Sequence, residues 1–148
     1  MLVIVDYQAG NLKSVERACA EVGVEALVSG DPEKIRQASR LIFPGVGAAG
    51  AAMASLQEAG IDEAIREFFN LGRPILGICL GLQISLNYSE ENQTKTLDLV
   101  SGEVKKFSLK ETGLKIPHMG WNTVNILQQH PVLDGIEPRD EFYFVHSY

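Results

Sequence analysis

Cysteine, histidine and positive charge are all scarce in this chain, and each scarcity excludes something. The two cysteines, Cys19 and Cys79, fall in different segments with no framework spacing. That argues against a disulfide-stapled secreted scaffold and fits a reducing cytoplasm. Three histidines are present, and no C-x-x-C, H-E-x-x-H or clustered His/Asp set accompanies them, so no metal site and no cofactor is expected. Lys and Arg number 13 against 19 Asp and Glu, a net charge of −6, and Lys105-Lys106 is the one basic pair. That balance argues against nucleic acid and anionic membrane surfaces as partners. No apolar run approaches the length of a membrane span, and the start Met-Leu-Val-Ile-Val-Asp lacks a basic leader or cleavage site. Repeats, low-complexity tracts and linkers are also missing, so residues 1–148 read as a single domain.

What is present is 45% hydrophobic content, arranged as short apolar runs that alternate with helical patterns. Residues 2–6 read as a buried strand. Asn11 can cap the helix that follows, in which Leu12, Val15, Ala18, Cys19 and Val22 share a face, so Cys19 is expected in the core. Residues 24–28 form the second strand. Asp31-Pro32-Glu33 opens the next helix, with a cap, a proline at the first position and an acid in the first turn. Leu41-Ile42-Phe43 is the third strand. Residues 48–58 and 61–70 are helical, broken at Gly60. Strands alternating with helices at this spacing predict an α/β fold, a doubly wound, mostly parallel sheet with helices on both faces. After Tyr88 the pattern changes. Residues 89–96 have loop composition, 100–107 and 123–127 look like short strands, 130–135 can make one helical turn, and 141–147 is an aromatic strand.

The most informative stretch is Gly77-Ile78-Cys79-Leu80-Gly81, where an apolar run meets a helical segment. Glycines two residues either side of a cysteine match the nucleophile elbow, with sulfur in place of a serine hydroxyl. Such a turn lifts the side chain clear of the sheet and aims the next amide, that of Leu80, at whatever the sulfur attacks. A helix N-terminus beneath it would favour the thiolate. A second glycine-rich turn, Gly45-Val46-Gly47-Ala48-Ala49-Gly50, matches G-x-G-x-x-G after a strand. A dinucleotide site would need an acid ending the next strand about twenty residues on, and that strand ends in Cys79. The turn therefore reads better as a source of bare N–H groups at the same sheet edge, completing an oxyanion hole for acyl transfer.

These residues resemble the class I, triad-type glutamine amidotransferases, and within them the glutaminase subunits of imidazole glycerol phosphate synthase from histidine biosynthesis. The resemblance runs from end to end. It is carried by Asp6-Tyr7-x-x-Gly10-Asn11-Leu12, Pro44-Gly45-Val46-Gly47, the elbow through Gln83, Ser89-Glu90-Glu91, Pro117-His118-Met119-Gly120-Trp121-Asn122 and Phe142-Tyr143-Phe144-Val145-His146-Ser147-Tyr148. It implies a flavodoxin-like sheet and L-glutamine as substrate. Cys79 would be the nucleophile, with the Val46 and Leu80 amides on the oxyanion. Gly47, Gln83, Glu91 and Ser147 would line the glutamine site. Asn11 and Pro117, His118, Met119, Gly120, Trp121 and Asn122 would face a cyclase subunit that forms a heterodimer with the chain and receives its ammonia.

The same resemblance places a catalytic His and Glu in a His-Pro-Glu turn beyond the aromatic strand, and the sequence ends at Tyr148. The domain is therefore expected to lack its C-terminal end and to be inactive alone. The alternatives are a non-catalytic or paralogous subunit of another ammonia-using synthase, and a different cysteine hydrolase on the same sheet. Without the resemblance, Trp121 would be expected in a core and His118 at a hydrogen-bonded surface position.

Overall fold

The computed structural model describes residues 1–108 and 114–148. The chain divides into two compact units, Met1–Lys105 and Lys106–Tyr148, and each is described by itself.

The first unit begins with β1 (Leu2–Val5), α1 (Leu12–Glu21), β2 (Ala26–Ser29), α2 (Pro32–Gln37) and β3 (Arg40–Phe43). It continues with α3 (Ala49–Glu58), α4 (Ile61–Asn70), β4 (Ile75–Gly77) and α5 (Leu80–Gln83). The four strands form a parallel sheet in the order β2-β1-β3-β4. Each crossover needs a helix, and right-handed connections on either side of β1 place helices on opposite faces. The strand β1 is buried along its whole length, and its alternation divides the core. Val3 and Val5 pack with Ile35, Leu56, Ile65 and Phe68 on one side, while Leu2 and Ile4 pack with Cys19 on the other. Cys19 is a core residue, as its helical spacing predicted.

Local signals account for the helix starts. The Asn11 side chain accepts from the Ser14 amide, and Asp31 accepts from the Glu33 amide ahead of Pro32. Gly60, in the left-handed region at φ 66°, separates α3 from α4. The helix α3 differs from these, because its cap position is Ala48 and no side chain there bonds the first turn. Beside α1, a mostly apolar hollow of about 370 Å³ is lined by Val15, Ala18, Val22, Ile42, Leu76 and Ile78, among others.

Three short strands complete this unit: β5 (Tyr88–Ser89), β6 (Thr94–Lys95) and β7 (Glu103–Val104), in the order β6-β5-β7. Residues 89–96, expected as loop, therefore form a tight hairpin, with Ser89 opposite Thr94. The strand expected over 100–107 shrinks to two residues.

In the second unit, β8 (His118–Thr123) and β9 (Glu141–His146) make an antiparallel ribbon, with Trp121 opposite Tyr143 and Gly120 opposite Phe144. The strand expected over 123–127 is thus corrected to one ending at Thr123. The β-branched run beyond Thr123 made the better local strand signal, and pairing with the aromatic β9 overrode it. Ribbon faces alternate, so His118, Phe144 and His146 cluster on one side, where His118 stacks on Phe144 at 5.0 Å. Met119, Trp121, Tyr143 and Val145 are exposed. Trp121 is 67% accessible, which overturns its expectation as core.

Candidate active site

The strands β3 and β4 run parallel in register, with Phe43 beside Gly77, and both end at the same edge of the sheet. The amide of Ile78 donates to the Phe43 carbonyl at 3.0 Å, so the ladder extends one step past β4 and stops. Cys79 comes next, at φ 54° and ψ −117°. A side chain in that region of backbone space costs about 1–3 kcal/mol and persists only where its surroundings impose it. The imposition comes from the flanking glycines. A Cβ on Gly77 would lie 2.9 Å from the Leu82 Cα, and one on Gly81 would overlap the Phe43 carbonyl oxygen. Both positions must be glycine for the strand to reverse into α5 at this distance. Cys79 itself is exposed. The helix beneath it, Leu80–Gln83, is a single turn, so the dipole under the sulfur is that of one turn.

The second glycine-rich turn packs directly against the elbow. A Cβ on Gly45 would lie 2.9 Å from both the Gly81 amide nitrogen and the Leu80 Cβ. Val46 and Gly47 follow at the surface, with Gly47 at φ 94°. Among the described residues, neither the Val46 nor the Leu80 amide donates to another protein group. Two adjacent turns thus bring two amides to the ends of neighbouring strands, beside an exposed sulfur.

Tyr7, for which the sequence alone indicated no role, braces the Pro44 turn. It follows β1, is 2% accessible, and its hydroxyl donates to the Pro44 carbonyl at 3.0 Å. Burial, and secondarily the charge of Cys79, push its phenol well above the ordinary tyrosine value. It stands just past the end of β1, and because β1 pairs with β3 it lies at the same edge as the Pro44 turn. Tyr7→Phe is expected to cost about 1 kcal/mol at neutral pH, because the Pro44 carbonyl loses its donor. A phenol raised in the folded state stabilises fully below the unfolded-state pKa of about 10 and loses that contribution as pH climbs toward the folded value. Wild type should therefore lose its advantage over Tyr7→Phe above about pH 10, as urea unfolding of the pair across that range would measure.

The other predicted site residues divide between the units. Gln83 lies one turn beyond Cys79, half-buried, with its amide on the Cys79 carbonyl at 3.1 Å. Glu91 lies in the β5–β6 hairpin, and its carboxylate accepts from the Ala49 amide at 2.8 Å. Asn11 is exposed and caps α1. Ser147 and residues 117–122 belong to the second unit, where the Ser147 carbonyl accepts from Phe107 at 3.0 Å.

The sequence matches the family described as glutamine amidotransferase class-I over residues 3–148. The chain belongs to the class I glutamine amidotransferases. Curated members of this amidotransferase family agree. A protein of Nitratidesulfovibrio vulgaris described as imidazole glycerol phosphate synthase subunit HisH is 51% identical over 155 residues, a match covering all of this chain and 72% of that one. A protein of the same description from Dehalococcoides mccartyi is 45% identical, with 71% of it covered. Among solved structures, one described as a glutamine amidotransferase superposes with a TM-score of 0.63 at 18% identity, over 75% of this chain and 59% of the other. A putative peptidase E from Listeria monocytogenes superposes with a TM-score of 0.55 at 15% identity, over 67% of this chain and 62% of the other. At those identities the superpositions establish the amidotransferase's α/β fold alone, and sites grafted on one fold differ in chemistry. Among the described residues, no helix is long and apolar enough to cross a membrane, and no group of three or more His, Cys, Asp or Glu could hold a metal ion.

Proposed function

We propose that this chain is the glutamine-hydrolysing part of an imidazole glycerol phosphate synthase, and that Cys79 is its nucleophile. The observation that carries the proposal is the strained, exposed Cys79 with the Pro44-Gly45-Val46-Gly47 turn packed against its elbow. The sulfur attacks the carboxamide carbon of glutamine, and the Val46 and Leu80 amides hold the oxygen as it becomes negative. Removing one such donor typically costs about 10²–10³ in rate. Collapse of the tetrahedral intermediate expels ammonia and leaves a γ-glutamyl thioester, which water cleaves to glutamate and the thiol. Gly47 and Gln83, on either side of the elbow in the first unit, contribute to glutamine binding. Asn11 and residues 117–122 face a cyclase subunit, and the exposed Met119 and Trp121 suit such a surface. Enclosed transfer to that partner keeps ammonia from becoming unreactive ammonium in water.

In the sequence, none of the three histidines, His118, His130 and His146, stands in the His-Pro-Glu turn that the resemblance associates with the general base. Acid–base help is typically worth about 10²–10⁴ in rate, so the 148-residue chain is expected to turn over glutamine negligibly. Rapid hydrolysis in a coupled glutamate assay would refute that expectation. The nucleophile itself is tested with a diazo-ketone analogue of glutamine, which should modify Cys79 slowly and be slowed by excess glutamine. An unmodified Cys79 would favour a binding subunit without chemistry.

A further inference from the structure

We infer that Glu91 is a positioning residue for the oxyanion-binding turn, acting through the N-terminus of α3 on a turn that Tyr7 holds at its other end. The inference rests on the reading that the Val46 amide binds the oxyanion, and it adds the device that keeps that amide in place.

A helix leaves its first amides without intrahelical partners, and Ser, Thr, Asp or Asn at the cap position supplies the missing acceptor. The cap of α3 is Ala48, whose extended backbone, φ −104° and ψ 144°, is suited to a capping residue but whose side chain cannot accept. The acceptor arrives instead from 42 positions away, where Glu91 Oε2 takes the Ala49 amide at 2.8 Å. A carboxylate there also meets the positive end of the helix dipole. The hairpin is built to deliver it. The Glu91 amide donates to Ser89 Oγ at 3.2 Å, and the Thr94 hydroxyl donates to the Glu91 carbonyl at 3.0 Å. Asn92 turns the tip in the left-handed region at φ 57°. In the first turn of α3, a Cβ on Gly50 would lie 3.3 Å from both the Asn92 Cβ and the Thr94 Oγ1. The hairpin tip and the helix start are therefore in close contact.

The turn from Pro44 to Ala48 is thus fixed at two points. Upstream, the Tyr7 hydroxyl holds the Pro44 carbonyl and the Ile78 amide holds the Phe43 carbonyl. Downstream, Glu91 holds Ala49. Between them lie Gly45, Val46 and Gly47, of which Val46 is 55% accessible. With the downstream anchor gone, Gly47 offers a hinge of low torsional cost, and the Val46 amide loses its fixed direction. Oxyanion donors work only when held at the position where the charge will form.

A residue that only touched glutamine would behave differently, and two measurements on the 148-residue chain separate the roles. The first is amide hydrogen exchange over residues 45–51. Glu91→Ala should speed exchange there about tenfold, in line with the loss of a helix cap, while Glu91→Gln, whose amide oxygen still accepts, should stay within about threefold of wild type. The second is the kinetics of Cys79 modification by the diazo-ketone. Glu91→Ala should lower the maximal rate about tenfold with little change in the half-saturating concentration. Adding Ala48→Ser, which puts a capping hydroxyl on the helix itself, should recover part of both losses. Unchanged exchange in Glu91→Ala would overturn the inference. So would a weaker half-saturation at an unchanged maximal rate, or a Glu91→Gln variant as impaired as Glu91→Ala. If wild type is not modified at all while the exchange results hold, the oxyanion reading fails and the anchoring of the turn stands.

Discussion

Cys79→Ala should abolish covalent capture of the diazo-ketone completely while leaving the fold intact, and Cys79→Gly should make the chain more stable than wild type. Both expectations follow from the backbone at position 79. The sulfur is the one group at that edge able to form a thioester, so nothing else can replace it. Its residue sits at φ 54° and ψ −117°, a region where any Cβ is crowded. Glycine removes the crowding and regains most of a strain worth about 1–3 kcal/mol, less roughly 1 kcal/mol for the additional freedom of the unfolded chain. A net gain of about 1 kcal/mol in urea unfolding, with reactivity lost, is the pattern of a residue kept for chemistry at the expense of stability. Destabilisation by Cys79→Gly would mean that the side chain contributes packing that its exposure does not suggest.

The second large effect is expected at Gly81. Gly81→Ala places a methyl group on the Phe43 carbonyl oxygen, a backbone atom already accepting from Ile78. Neither side can move without separating β3 from β4 or unwinding α5. The cost should reach about 3 kcal/mol or more, the upper end of overpacking penalties, against a total stability of about 5–15 kcal/mol for a domain. Gly47→Ala is the informative contrast. No atom lies within 4 Å of a Cβ there, and only the φ of 94° opposes it. It should cost roughly 1 kcal/mol. Chemical unfolding of the two variants side by side distinguishes collision from torsional strain. Similar losses in both would show that Gly81 is not wedged against β3.

The contrast also shows why some of the site could be read in the sequence and some could not. The elbow was legible because its geometry is local. Two glycines at fixed spacing around a cysteine, after an apolar run and before a helix, have few other uses. The caps of α1 and α2 were legible for the same reason, since Asn11 and Asp31 act within three residues of themselves. The cap of α3 was not. Ala48 gives no local cue, and the acceptor comes from a hairpin that composition presented as loop. Tyr7 was visible only as part of a matching stretch, because its bond to Pro44 depends on β1 and β3 being neighbours. The boundaries of β8 failed through the opposite error. Residues 123–127 have the better strand composition, yet the cross-strand pairs of Trp121 with Tyr143 and Gly120 with Phe144 decide the register. Local chemistry was readable and contacts between distant segments were not, and the inferred role of Glu91 depends on such a contact.

The most direct test of the account is the structure of the 148-residue chain after reaction with the diazo-ketone. The account predicts a single covalent bond to Cys79 Sγ, with the analogue's ketone oxygen about 2.7–3.1 Å from the Val46 and Leu80 amide nitrogens and Cys19 unmodified. Attachment elsewhere, or a Cys79 adduct whose oxygen points to solvent away from both amides, would contradict it.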